Sequence, residues 1–290
     1  MKILVQNYST KASTEATYLA QSLRMAGVEC ELWSNPNVST YDILDRYRPD
    51  IFMTHYRFVT EAMIKYISLN GGPELVLNVT GATPEEAQQV EQLTDSGIKI
   101  PLIYTNTFDH TEKFSKLKLK GIYPAADIFM QSRPTAPSLP LGVLNDGDAA
   151  CVAKAVGEND VFHLLAMESG EYCDADVNVG VLHQLYSLYK RFVLTGDIPL
   201  ITSQIFFDSC LACHKVDILP SEASTDRFNN FLGSVFEEPK EEPENLGEHL
   251  KKQILIKHTP FNRAERLMRF LKNDKAVLNL QKLKNQVVKN

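Results

Sequence analysis

Residues Pro199–Ile218, PLITSQIFFDSCLACHKVDI, read as a strand, a helix and a second strand in close succession. Pro199–Thr202 is a short apolar run, Ser203–Cys213 has helical spacing, and Lys215–Leu219 is β-prone again. Thr202 or Ser203 stands where an N-cap belongs, so unpaired backbone N–H groups open the helix and favour an anion there. Gln204 and Asp208 are four residues apart and so share one helix face. A carboxylate at that place can accept from the paired hydroxyls of a sugar, while Ile205, Leu211 and Ala212 are left to pack on a sheet. The plainer reading is a capped amphipathic helix with a solvated Gln and Asp.

The same grammar extends in both directions. Upstream, strand Val161–Ala166 and helix Val181–Val193 lead into the quoted segment. At the start of the chain, strands at Lys2–Val5, Val28–Trp33, Ile51–Thr54, Leu75–Val79 and Pro101–Thr105 alternate with helices at Ser13–Met25, Thr40–Tyr47, Thr60–Leu69 and Pro84–Ser96. Pro84-Glu85-Glu86 is the acidic first turn that a helix N-terminus favours. Asp127–Gln131 reads as one more strand, and the proline-rich Ser132–Gly142 as a linker. Glu237–Glu248 reads as a solvated loop before the final helices. Strands separated by helices of this length imply parallel, helix-covered sheets. The expected fold is α/β, with two doubly wound Rossmann-like domains at 1–136 and 143–272 facing a cleft, and a basic helix at 273–290 that crosses back to the first domain.

Composition bounds the chemistry. The 290 residues are 44% hydrophobic and 23% charged, which excludes wholesale disorder and provides for a sizeable core. Five scattered cysteines do not form a disulfide framework, the N-terminus turns polar at Gln6-Asn7 too soon for a signal peptide, and no apolar run is long enough to span a bilayer. A soluble, reduced, cytoplasmic protein is expected. Charge is uneven: Lys251–Asn290 carries a net +9, leaving −15 on the rest of a chain whose total is −6. That basic end suits peripheral contact with an anionic membrane, or else a solvated helix docked on an acidic body; nucleic acid is not expected as a partner.

Candidate side chains follow from strand ends, because such sheets bind ligands outside the carboxyl ends of their strands. His55 follows Ile51–Thr54, and its ordinary pKa suits proton transfer from a hydroxyl. Asn7, Asn78, Thr80 and Asn106 follow other strands and can line an acceptor site; Asp109 and His110 lie just beyond. His258 and Arg263 read as hinge and packing residues. Cys210-Leu-Ala-Cys213-His214 has the spacing of a haem attachment, but it ends a helix in a chain with no export signal. Neither haem nor another metal is expected. Arg48-Pro-Asp50 has the sound of a phospho-receiver, yet Gln6 and Asn7 stand where such a domain needs acids.

The Pro199–Ile218 segment resembles the donor-binding segment of GT-B-fold glycosyltransferases, especially the spore-maturation-protein-like group. His258-Thr259-Pro260-Phe261-Asn262-Arg263-Ala264 is similar to the segment opening that group's last helix, and Val181–Gly196 to the segment flanking its base pocket. The resemblance implies metal-independent transfer from a nucleotide-diphosphate sugar to a glycan or other hydroxyl acceptor, with no cofactor. By position, Ser203 and Gln204 meet the donor diphosphate, Asp208 the ribose, and Tyr186 and Tyr189 the base. The sequence departs from the group at Leu200, where many retaining members carry glutamate, and after the first strand, where Gln6–Lys11 has no glycine. A binding module with this fold and no remaining catalysis is the alternative.

Overall fold

The computed structural model describes residues 1–7, 14–35, 37–106, 119–122, 125–126, 128, 137–145, 149–157, 163–166, 186–196, 204–212, 215–236 and 246–289. The chain divides into two compact units, Met1–Tyr123 with Pro260–Asn290, and Pro124–Thr259.

The first unit opens with β1 (Lys2–Gln6), α1 (Thr14–Met25), β2 (Glu29–Trp33), α2 (Thr40–Tyr47), β3 (Ile51–His55), α3 (Glu61–Asn70), β4 (Glu74–Asn78), α4 (Pro84–Thr94), β5 (Leu102–Thr105) and the two-residue β6 (Lys120–Gly121). Its strands form one sheet in the order β2-β1-β3-β4-β5-β6, parallel at every pairing. The strands are short apolar runs because helices cover both faces: every residue of β3 is buried, and so are Leu75, Val76 and Leu77 of β4. The helices start where side chains satisfy their first N–H groups. Ser39 accepts from Asp42, Thr60 from Met63, and Thr83 with Glu86 forms a reciprocal capping box. Each such cap is worth about 1 kcal/mol.

The second unit contains β7 (Leu139–Asn145), α5 (Ala149–Val156), β8 (His163–Ala166), β9 (Tyr189–Gly196), α6 (Gln204–Ala212), β10 (Val216–Pro220), α7 (Thr225–Val235) and α8 (Leu246–Lys257). Its sheet has the order β10-β9-β7-β8, again wholly parallel. Read from the other edge, β8-β7-β9-β10 repeats the winding of β2-β1-β3-β4. The fold is therefore α/β with two Rossmann-like parallel sheets.

Two expectations are corrected here. Tyr189–Val193 was expected at the end of a helix, but it is strand β9, paired with β7 on one side and β10 on the other. Phe192, Val193, Leu194 and Thr195 are fully buried, as a central strand requires and a half-exposed helix does not. The supposed linker contains the start of β7. Among the described residues β8 pairs with β7 from Gly142 onward, so Pro140 precedes that pairing, in the part of the strand that lies beside β9. The strands expected at Asp127–Gln131 and Pro199–Thr202 lie outside the described residues, apart from Ile128, which has no regular structure.

The last two helices, α9 (Pro260–Phe270) and α10 (Asp274–Lys289), belong to the first unit. The return thus begins at Pro260, ahead of the expected 272/273 boundary. Phe261, Ala264, Leu267 and Met268 of α9 are buried, and the helix packs on α1 and α10. Glu265, itself only 6% exposed, accepts from Arg269 and Gln281 at 3.0 and 3.2 Å and from Lys284 at 2.5 Å. Burial pushes its carboxyl upward, but these donors outweigh burial and hold it below the ordinary value. Asn279 Nδ2 donates to the Ala26 carbonyl at 2.9 Å and ties α10 to the end of α1.

Candidate functional site

In the first sheet the chain winds one way from β1 to β2 and the other way from β3 onward, so the topological switch point falls between β1 and β3. Polar side chains gather at the carboxyl ends of the strands on and beside that point. Thr54 Oγ1 donates to Gln6 Oε1 at 2.5 Å, bridging β3 and β1. Asn7 is buried, and its N–H donates to the Trp33 carbonyl at 2.8 Å.

His55 closes β3. Its Nε2 lies 3.0 Å from the Thr80 carbonyl. A carbonyl only accepts, so that nitrogen carries the proton. The lone pair is then on Nδ1, which accepts a long 3.4 Å bond from the Arg57 N–H. Burial, with a smaller push from Arg57, lowers the imidazole pKa below the ordinary histidine value, against an opposing pull from the Thr80 carbonyl. His55 is therefore neutral at pH 7, with one proton fixed in place.

Thr80 is the hub of the cluster. Its N–H and hydroxyl both donate to Asn78 Oδ1, at 2.9 and 2.5 Å, while its hydroxyl oxygen accepts from the Asn106 N–H at 3.0 Å. One threonine thus links the ends of β3, β4 and β5. The structure brings together four of the five first-unit candidates, His55, Asn78, Thr80 and Asn106, and places Asn7 beside Gln6 at the end of β1. Asp109 and His110 lie outside the described residues.

Sequence reasoning missed Tyr56, Arg57 and the site role of Glu86. Arg57 grips Glu86 through two bonds, Nε to Oε1 at 3.0 Å and Nη2 to Oε2 at 3.1 Å, and also reaches Tyr56 OH at 2.7 Å and the Gly81 carbonyl at 3.3 Å. Arg57 foremost, then Tyr56 and the Thr83 N–H, hold the Glu86 carboxyl down at about 2. Gly81 sits at φ +72, a left-handed conformation that brings the loop back toward α4. The pattern Thr83-Pro84-Glu85-Glu86 announces the capping box in the sequence; the Arg57 contact comes only with the fold.

In the second unit the corresponding switch point lies between β7 and β9. Gly196 ends β9 at φ +126, a conformation that side chains resist, and its carbonyl accepts the Ser221 N–H at 2.9 Å. Among the described residues the next helix after β9 is α6. Ser203 lies outside the described residues, and Gln204 is the first residue of α6. Asp208, expected to meet the ribose, is not the solvated carboxylate of the plainer reading: Phe206, Phe207, Asp208, Ser209 and Cys210 are five consecutive buried residues. The reason is enclosure, since α6 packs against α8 and its phenylalanines join Phe228, Phe231 and Phe236. Tyr186 and Tyr189 are 2% and 1% exposed, and they pack on Phe192 with ring centroids 5.1 and 5.7 Å away. Those rings are part of the core of the second unit.

Burial also pushes the Cys210 thiol upward, which keeps it protonated; Cys213 and His214 lie outside the described residues. His258 sits between Phe207 and Phe236, 5.2 and 5.1 Å away, and Nε2 donates to the Val235 carbonyl at 3.2 Å. Arg263 is buried within α9. Both are packing residues in their units. Among the described residues no helix is long and apolar enough to cross a membrane.

No protein-family model matches the sequence, and no curated protein matches it. Solved structures do match by fold. The calicheamicin glycosyltransferase CalG4 aligns over 94% of this chain and 98% of its own, with 10% identity and a TM-score of 0.45. Anabaena HepE, solved in complex with UDP and glucose, aligns over 94% of this chain and 100% of its own, with 10% identity and a TM-score of 0.50. At that identity the likeness is one of fold, and with HepE it extends over nearly the whole chain.

Proposed function

We propose that this chain is a glycosyltransferase moving a sugar from a nucleotide-diphosphate donor to a hydroxyl acceptor. The observation that carries the reading is the cluster at the β1/β3 switch point, where a neutral histidine with a fixed tautomer sits among threonine, asparagine and arginine. Supporting it, HepE, whose fold this chain shares, was solved with UDP and glucose.

In this reading the first unit presents the acceptor. His55 takes the acceptor proton on Nδ1, and the Arg57 N–H gives way as the hydroxyl arrives. Thr80 keeps Nε2–H in place, so the imidazole cannot switch tautomer. The second unit takes the donor diphosphate at the opening turn of α6, around Ser203 and Gln204, where backbone N–H groups offset the charge of the departing diphosphate. The catalytically inert alternative draws on one observation, the occupation of both ring nitrogens of His55.

A panel of nucleoside diphosphates, followed by thermal unfolding, tests the donor half. At about a hundred-fold excess over Kd the expected gain is about 2.7 kcal/mol, a rise of several degrees in Tm for a chain of this size. No shift with any of the five common nucleotides would remove the donor reading. With a responsive nucleotide sugar, His55→Ala should lower kcat at least a hundred-fold with donor affinity unchanged. In the wild type the acid limb of the rate profile should lie below pH 6.5, because burial lowers the His55 pKa. Unchanged turnover in the variant removes His55 from the mechanism, whereas donor binding with no turnover in the wild type favours the inert module.

A further inference from the structure

The two sides of α10 differ in a way that neither the core nor the proposed chemistry uses. Ala276, Val277 and Leu280 are buried, and Lys284 is held by Glu265 at 2.5 Å. The opposite side carries Lys275, Leu278 and Lys282, spaced by three and four residues and so aligned along the helix. Leu278 is 59% exposed, the most exposed of the large hydrophobic side chains described. Lys272, in the left-handed turn between α9 and α10 at φ +55, is exposed beside this row. The ammonium groups of Lys272, Lys275 and Lys282 have no ion-pair or hydrogen-bond partner among the described residues.

Charge and shape together select the partner. Residues 260–290 carry a net +6 within a chain of net −6. Met25, 50% exposed, immediately precedes Ala26, and Leu278 immediately precedes Asn279; the hydrogen bond between Asn279 and the Ala26 carbonyl therefore sets two protruding aliphatic side chains on one part of the unit. Lysines alone would suit a nucleic acid as well as a lipid. An exposed leucine within a lysine row, with a protruding methionine nearby, suits a bilayer, where the apolar groups enter the acyl boundary and the ammonium groups meet phosphate.

We propose that the outer face of α10, with Met25 at its edge, is a docking surface for an anionic lipid bilayer. The proposal does not rest on the glycosyl-transfer reading. Sedimentation of the full chain with vesicles of phosphatidylcholine alone, or with added phosphatidylglycerol, tests it at low salt. Binding is expected only with the anionic lipid. At roughly five-fold per lysine, the triple variant Lys272→Gln, Lys275→Gln, Lys282→Gln should lower the partition coefficient about a hundred-fold. Leu278→Glu, at an exposed position that leaves folding intact, should lower it at least ten-fold. The matched triple Lys65→Gln, Lys154→Gln, Lys215→Gln, which removes exposed lysines elsewhere, should stay within a few-fold of wild type. Equal binding to neutral vesicles overturns the proposal, as does an equal loss in the matched triple. A triple variant that weakens retention on duplex DNA but leaves vesicle binding intact assigns the surface to nucleic acid instead.

Discussion

The two sheets share one winding and fill it differently. In the first unit β2-β1-β3-β4 is packed with aliphatic residues such as Leu4, Leu75, Leu77 and Val79, and its strand ends are joined by polar side chains. In the second, β8-β7-β9-β10 is backed by an aromatic cluster in which Phe206 alone meets Phe207, Phe228, Phe231 and Phe236 with ring centroids 5.1–6.4 Å apart. Parallel winding creates a switch point in each unit, but the side chains decide what each can do. The first has its chemistry in directional hydrogen bonds between strand ends. The second places ring packing directly behind the helix that follows its switch point.

The largest effect should come from breaking the aromatic half. Phe206→Ala removes a fully buried ring from the centre of the cluster and should cost about 3–5 kcal/mol. Hydrogen exchange of the full chain locates the loss: protection should fall across 204–236 and 246–258, while β1 to β5 keep theirs. An equal fall in both units would show that they unfold as one body and that the contrast has no energetic meaning.

The next effect is pH-dependent. Burial among the phenylalanines pushes the His258 imidazole down to about 4, against an ordinary 6.5. Between those values the unfolded chain binds a proton that the folded chain refuses, so stability falls as pH drops from 6.5 toward 4, and the histidine has no such effect above 6.5. The full difference amounts to about 3 kcal/mol. His258→Gln keeps a donor for the Val235 carbonyl but does not titrate. Urea midpoints at pH 7 and pH 4 should therefore converge for the variant relative to wild type. A wild-type loss no greater than the variant's would mean that the ring is better hydrated than its packing indicates.

How much was legible in the sequence follows the same division. The first unit announces itself through caps and short apolar runs, since Ser39, Thr60 and Thr83 mark helix starts and Ile51–Thr54 marks a buried strand. Tyr189–Gly196 misleads because Leu185, Leu188, Tyr189 and Phe192 also satisfy helical spacing; only pairing on both edges makes the segment a strand. The prolines ahead of Leu141 hide β7 in the same way, because they stand ahead of its described pairing with β8, at the start of a strand where proline is tolerated. At the site, His55 was legible from its place at a strand end. Arg57 and Glu86 were not, being 29 residues apart and joined only once β3 and α4 are in place. Nor does sequence show Thr80 as a hub, since its bonds to Asn78 are local but those to His55 and Asn106 depend on the register of β3, β4 and β5.

That hub gives the smallest of these effects on stability and the most pointed one for the comparison. Thr80→Val keeps the shape and the carbonyl that holds His55 Nε2, but loses the hydroxyl that serves Asn78 and Asn106. The cost should be about 1–2 kcal/mol, because a partly buried polar network is cut at one member and both partners lose a bond. Exchange should quicken at the Asn106 amide before any other amide in β4 or β5, with the aromatic half of the chain unchanged. If the polar strand ends serve chemistry rather than stability, turnover should fall by a larger factor than stability alone accounts for, measured well below the new Tm. Loss of stability with turnover intact would make the network a clamp on the sheet, as structural in its own way as the phenylalanines behind α6.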